Sequence, residues 1–92
     1  MNIRRSDKFR GDYKVLPADT QLLVDKKLKL LMEGFGKGKS QPSLRIKKIQ
    51  GTNNPVIWEM SITMGVRATF SIEGNMIVLR RLGEHDKTLK KP

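Results

Sequence analysis

The stretch VIWEMSITMGVRATFSIEGNMIVLRRL, residues 56–82, decides the fold of this chain. Apolar and polar residues alternate through residues 56–63 and again through 66–73, which is the period of a strand with one apolar face. Gly74-Asn75 is typical of a two-residue hairpin turn, and the apolar segment 76–82 follows it. We therefore predict an antiparallel meander of three strands, preceded by a weak extended segment at residues 44–49.

The loop between the first two strands fixes their register. A two-residue turn at Met64-Gly65 would place Ile62 opposite Arg67, so that an apolar face would meet a polar one. A three-residue loop over residues 63–65 instead keeps the large apolar side chains on one face. Together with the Gly74-Asn75 turn, it predicts the cross-strand pairs Trp58–Phe70, Met60–Ala68, Glu59–Thr69, Ser61–Arg67, Ile72–Ile77, Thr69–Arg80 and Arg67–Leu82.

The residues before the meander have helical spacing. Phe9, Tyr13 and Leu16 lie at i, i+4 and i+7, and Pro17 ends that helix. A second helix carries one apolar stripe and ends in the run GFGKGKSQP, residues 34–42. The stripe consists of Val24, Leu28, Leu31 and Phe35. The prediction is one α+β domain over residues 1–92, with two N-terminal helices on an antiparallel sheet of three to four strands, and residues 2–5 extended at best.

Composition limits the possible chemistry. The 92 residues include 19 Lys and Arg, 9 Asp and Glu, one His and no Cys, for a net charge of +10. This excludes disulfides, thiolate zinc sites, thiol nucleophiles and multi-histidine metal sites, so we expect neither a metal nor a cofactor. No apolar segment is long enough for a membrane span, and Met1 to Arg10 does not resemble a signal peptide, so a cytoplasmic protein without a membrane partner is expected.

The positive charge favours a polyanionic partner, because Lys and Arg gain affinity by releasing counterions from phosphates. Residues 1–50 contain 13 basic and 5 acidic residues, a net charge of +8, whereas residues 51–92 contain 6 and 4, a net charge of +2. We therefore expect the helices and the following loop to dock the polyanion and the nearly balanced sheet to carry any chemistry. The candidate RNA-binding residues are Arg45, Lys47, Lys48, Arg80 and Arg81.

One face of the predicted sheet gathers ionisable side chains. Glu59, Arg67 and Arg80 share this face, and His85 and Asp86 follow the last strand beside Arg67. Such a set suits metal-independent phosphodiester cleavage, in which a base deprotonates the 2′-OH, an arginine stabilises the phosphorane and an acid protonates the 5′ oxygen. The candidate catalytic residues are Glu59, Arg67 and His85, with base and acid not assigned between Glu59 and His85.

Each of these residues also has an ordinary structural explanation. Glu59 and Arg67 could form a cross-strand ion pair on a solvated face, and His85-Asp86 could be a turn. The arginines at residues 80–81 could protect an edge strand, and the basic run at 45–48 could be a solvated edge. Their convergence on one patch is what favours a function.

The stretches PSLRIKKIQG, residues 42–51, and IWEMSITMGVRATFSIEGNMIVLRRLGEHDKTL, residues 57–89, resemble the RelE-type toxins of bacterial and archaeal toxin–antitoxin pairs. The matching features occur in order: the Pro-Ser-Leu entry, the aromatic-Glu pair at 58–59, Arg67 followed by Phe70, and Gly-x-His-Asp at 83–86. The helical segment LVDKKLKLLMEG, residues 23–34, fits the same pattern, so the resemblance covers nearly the whole chain.

This resemblance implies a metal-free endoribonuclease that cleaves messenger RNA on the ribosome and is neutralised by a cognate antitoxin. In it Arg67 matches the phosphate-stabilising arginine, His85 the C-terminal acid, and Glu59 a position that carries Glu or Lys. Phe70 matches an aromatic position near the site, although the predicted register turns Phe70 to the core. A lysine pair found on the second strand of some members is replaced by Glu59 and Ser61.

Two alternatives remain open at this point. One is a non-enzymatic gyrase inhibitor of the ParE type, which shares the fold and would not need His85. The other is a catalytically decayed module that binds nucleic acid together with its antitoxin.

Overall fold

The structure, a computed structural model, describes residues 2–36, 44–84 and 88 of the chain. Two helices and five strands occur within these residues. In chain order they are β1 (Asn2–Arg5), α1 (Asp7–Lys14), α2 (Ala18–Gly36), β2 (Lys47–Lys48), β3 (Trp58–Ser61), β4 (Val66–Glu73) and β5 (Met76–Glu84). None of the helices in the described part of the chain is long and apolar enough to cross a membrane.

The five strands form one mixed sheet in the order β1-β5-β4-β3-β2. The α+β class with two helices on a sheet is confirmed, but the strand count and the purely antiparallel arrangement were wrong. β1 pairs in parallel with β5, with Arg4 opposite Val78, while the other neighbours are antiparallel. Four residues with two adjacent arginines have no alternation that would indicate a strand. These residues become a strand because they pair with β5, which is distant in the sequence.

The register between β3 and β4 is confirmed. Trp58 lies opposite Phe70, Glu59 opposite Thr69 and Ser61 opposite Arg67. The loop closes as expected, because the backbone N–H groups of Ile62 and Thr63 both donate to the carbonyl oxygen of Val66, at 3.0 and 3.1 Å. This register places Phe70 fully inside the core and Glu59 on the opposite face.

The register between β4 and β5 changes halfway along the pair. Ile72 lies opposite Ile77 as predicted, but an irregularity between Thr69 and Phe70 shifts the rest of the ladder. The observed partners are Phe70–Leu79, Thr69–Arg81 and Arg67–Gly83, so the predicted pairs Thr69–Arg80 and Arg67–Leu82 were wrong. Leu79 and Leu82 are both buried, yet residues three apart point to opposite faces of a regular strand. The bulge at Arg80 brings both leucines into the core.

The core lies between the helices and one face of the sheet. The helices contribute the predicted residues Phe9, Val24, Leu28 and Leu31, all of them buried. Phe35, the last residue of the predicted stripe, lies outside the part whose side chains are described. The sheet contributes Met60, Ile62, Ala68, Phe70, Ile77, Leu79 and Leu82.

Helix α1 closes the part of the β5 edge that β1 leaves unpaired. Ser6 caps the helix by accepting a hydrogen bond from the Phe9 N–H at 3.1 Å, and its hydroxyl donates to the Arg80 carbonyl at 2.8 Å. Asp12 accepts from the Leu82 N–H at 3.0 Å and from Nε of Arg81 at 2.9 Å. The edge of β5 is therefore satisfied by side chains of α1 instead of by another strand.

Replacing Asp12 with Ala should lower the free energy of unfolding by about 1 to 3 kcal/mol, because a backbone donor and a guanidinium lose their acceptor. Urea denaturation measures the loss. Asp7→Ala is the matched control, since Asp7 is an exposed residue of the same helix and its removal changes the net charge equally. Equal losses in the two variants would contradict the role given to Asp12.

Candidate functional site

The face of the sheet opposite the helices, called here the open face, carries buried polar side chains. Glu59 is 1% exposed, and Thr69 and Ser71 are fully buried. Ile57 and Val78, which lie outside the main hydrophobic cluster, are buried on the same face. Glu59 is therefore not part of a charge pair on a solvated face, which was the ordinary structural explanation for Glu59 and Arg67.

Glu59 lies between two cations. Its Oε1 atom is 3.7 Å from Nζ of Lys47 and 3.8 Å from Nε of Arg67. Lys47 lies directly across β2 and β3, and Arg67 reaches Glu59 diagonally from β4. Both distances are longer than a hydrogen bond, so these contacts are charge pairs. Two cations offset the cost of burying one carboxylate and leave the cluster with a net positive charge.

The loop between β3 and β4 fixes the side chain of Arg67. Its Nη1 group donates to the carbonyl oxygen of Thr63 and, at 3.4 Å, to that of Val66. The hydroxyl of Ser61 donates to the same Thr63 carbonyl at 3.2 Å. The guanidinium is thus tied to the loop on one side and faces Glu59 on the other, with the side chain 19% exposed.

A glycine lies across the strand pair from Arg67. Its partner on β5 is Gly83, whose φ of 154° is one that L-residues rarely adopt. Among the residues that the structure describes, no atom lies within 4 Å of the position that a Cβ on Gly83 would take. Gly83 therefore places no side chain beside the guanidinium.

The two adjacent arginines of β5 are in different surroundings. Arg81 forms a two-point ion pair with Asp12, with Nε–Oδ2 at 2.9 Å and Nη2–Oδ1 at 3.3 Å. The hydrogen bond to Asp12 raises the pKa of Arg81 above its usual value, so this side chain stays charged and bound to Asp12 of α1. Arg80, at the bulge, lines a cavity on the open face.

The basic run before β3 is divided between the two faces of the sheet. Lys47 pairs with Glu59 on the open face, whereas Lys48 lies opposite Trp58, whose side chain packs against the core. Arg45 is exposed and has a positive φ of 48°. Of these three candidate RNA-binding residues, Lys47 is the one that joins the Glu59 cluster. The sequence did not indicate its role as an ion-pair partner.

His85 and Asp86 lie outside the described residues, as does most of the glycine- and lysine-rich run after α2. The last described residues of β5 are Gly83, opposite Arg67, and Glu84, opposite Val66. The candidate acid His85 is therefore two residues after Gly83 in the sequence.

Sequence reasoning missed the cavity that Arg80 lines. Its volume is about 540 Å³, and Arg4 and Lys8 contribute to its wall. The sequence pattern did not predict β1 as a strand, and only the pairing of β1 with β5 brings Arg4 to the sheet. Within residues 2–36, 44–84 and 88, no group of three or more His, Cys, Asp or Glu side chains is arranged to hold a metal ion.

Solved structures of toxins match the whole fold. A copper-bound mutant toxin from Helicobacter pylori is 21% identical, with 95% of this chain and 97% of that chain covered and a TM-score of 0.69. The RelB–RelE antitoxin–toxin complex from Methanococcus jannaschii matches at 19% identity, 96% and 98% coverage and a TM-score of 0.68. The DinJ–YafQ toxin–antitoxin complex from E. coli matches at 17% identity, 94% and 93% coverage and a TM-score of 0.69.

No protein-family model matches the sequence, and neither does any curated protein. The likeness is therefore one of three-dimensional structure, and it extends over nearly the full length of both partners in each comparison. The chain has the fold of the RelE-type toxins of type II toxin–antitoxin systems.

Proposed function

We propose that this protein is an endoribonuclease toxin that cleaves messenger RNA on the ribosome without a metal ion. The observation that carries the proposal is the cluster on the open face, in which a buried Glu59 holds Arg67 and Lys47, with Gly83 opposite Arg67. The toxin fold supports it independently. The cluster has a net positive charge, which favours the binding of a negatively charged phosphodiester.

The proposed reaction is attack of a ribose 2′-OH on the adjacent phosphorus. A base takes the 2′-OH proton, the new P–O bond forms, and the 5′ oxygen leaves with a proton from an acid. The products are a 2′,3′-cyclic phosphate and a 5′-OH end. Arg67 stabilises the negative charge that builds up on the phosphorane oxygens, because its guanidinium is held in place before substrate arrives.

The burial of Glu59 favours a positioning role for this residue. At 1% exposure its carboxylate is shielded from water, and its Oε1 atom already faces both cations. In the proposed mechanism Glu59 orients Arg67 and Lys47 towards the phosphate. His85 is assigned as the acid that gives its proton to the leaving 5′ oxygen, since imidazole gives and accepts protons near neutral pH. Solvent water takes the proton of the 2′-OH.

The proposed partners are an antitoxin and the ribosome. Two of the structurally similar toxins were solved with their antitoxins, RelB and DinJ. A net charge of +10 suits both an acidic antitoxin and ribosomal RNA. Such an activity places the protein in the cytoplasm.

Replacing Arg67 with Ala should lower the rate of cleavage of ribosome-bound messenger RNA by about a hundredfold to a thousandfold, because the phosphorane loses its main stabilising charge. Primer extension on ribosome-bound message measures the cleavage, and growth after induction measures the toxicity. Arg10→Ala, which removes an exposed arginine of α1, is the matched control and should remain active. Wild-type protein that neither slows growth nor cleaves message would contradict the proposal.

Replacing Glu59 with Gln should lower kcat by up to about a hundredfold, because the two cations lose the charge that orients them. The pH–rate profile should keep its shape in this variant.

His85→Ala should remove the ionisation between about pH 5 and 8 that histidine provides. Loss of that ionisation in Glu59→Gln would instead make Glu59 the group that transfers the proton.

The same variants distinguish the proposed nuclease from the ParE-type alternative. A gyrase inhibitor requires no proton transfer, so its toxicity would survive His85→Ala and Glu59→Gln. Growth inhibition that persists in both variants, with intact message, would replace the nuclease proposal.

A further inference from the structure

The cavity on the open face combines an apolar floor with a cationic wall. Ile57 and Val78, each 6% exposed, form the floor. Arg4, Lys8 and Arg80 are basic residues of its wall, with Glu73 as the acidic one. A volume of about 540 Å³ lies within the range of small-ligand sites in proteins.

The strand register places this cavity next to the Glu59 cluster. Val78 has Arg4 opposite it on β1 and Ser71 opposite it on β4, so these residues form one row across the sheet. Thr69, two residues before Ser71, lies in the next row with Glu59. Rows two residues apart are separated by about 7 Å. The cavity therefore lies on the same face as the proposed cleavage site, one row from Glu59 and two rows from Arg67.

Two of the wall cations are available to an anion. In the described part of the chain, the side chains of Arg4 and Lys8 form no salt bridge, and both residues are exposed. Arg81, which also lines the cavity, is instead held by Asp12. The cavity can thus supply two positive charges to a phosphate beside apolar side chains.

A second, larger groove of about 1000 Å³ runs between β1 and the helices. No residue of β3 or β4 lines it, and it is therefore separated from Glu59 and Arg67. The smaller cavity is the one that shares a face with the cleavage site.

We infer that this cavity binds one nucleotide of the RNA next to the cleaved phosphodiester. The nucleotide's phosphate contacts Arg4 and Lys8, and its base lies on Ile57 and Val78. The inference rests on the proposed function, which identifies the polymer as RNA. It assigns a binding role to Lys8 and to Arg4, which the pairing of β1 with β5 brings to the cavity.

The first test measures binding without cleavage. A fluorescein-labelled 2′-O-methyl RNA of about ten nucleotides lacks the attacking 2′-OH, and fluorescence anisotropy gives its affinity for the full-length protein across a series of salt concentrations. The double variant Arg4→Ala/Lys8→Ala should bind more weakly. The slope of log affinity against log salt should shrink by about 0.7, because the variant no longer neutralises one phosphate.

The variant Arg5→Ala is the control, since Arg5 is an exposed neighbour of Arg4 on β1 and lines no part of the cavity. It should keep the wild-type slope, and both variants should keep the wild-type thermal midpoint. A wild-type slope in Arg4→Ala/Lys8→Ala, or an equal decrease in both variants, would overturn the phosphate contacts.

The second test concerns the base. NMR titration of isotope-labelled protein with adenosine monophosphate should shift the amide signals of Ile57 and Val78, and ribose 5-phosphate, which lacks the base, should bind several-fold more weakly. Equal affinities, or unchanged signals at both residues, would overturn the placement of the base.

Neither test depends on catalysis. The cavity can fail both tests while Arg67→Ala still lowers the cleavage rate, and an inactive protein can still show the predicted slope. The outcome for the cavity is therefore distinguishable from the outcome for the proposed function.

Discussion

The bulge at Arg80 is the constraint on which the rest of the sheet depends. Leu79 and Leu82 both enter the core, which a regular strand does not allow for residues three apart. The extra residue shifts the ladder so that Gly83, and not Leu82, lies opposite Arg67. The packing of the two leucines thus decides which residue lies opposite the candidate catalytic arginine, and that residue is a glycine instead of a leucine.

The electrostatics of the site depend on the burial of one carboxylate. Glu59 is almost completely shielded from water, and the structure supplies Lys47 from β2 and Arg67 from β4 at similar distances. Removing either cation would leave a buried charge less well compensated. This dependence links three neighbouring strands and also holds two positive charges at the same place on the open face.

The sequence predicted those parts of the fold in which local pattern and packing agree. The register of β3 and β4 followed from their alternation and the three-residue loop, and with it the approach of Arg67 to Glu59. The bulge was not predictable from alternation, because it reflects how two leucines fit against the helices. β1 was missed for a related reason: its four residues become a strand through pairing with the distant β5.

That missed strand changes how the charge of the molecule is distributed. The first half of the chain holds a net charge of +8 and was expected to dock the polyanion through its helices and loop, away from the sheet. The parallel pairing of β1 brings Arg4 onto the open face, and Ser6 fixes the start of α1 so that Lys8 lines the same cavity. Part of the charge of the first half therefore lies one strand row from Glu59. In the proposed enzyme, binding of the RNA and stabilisation of its phosphorane take place on one continuous surface.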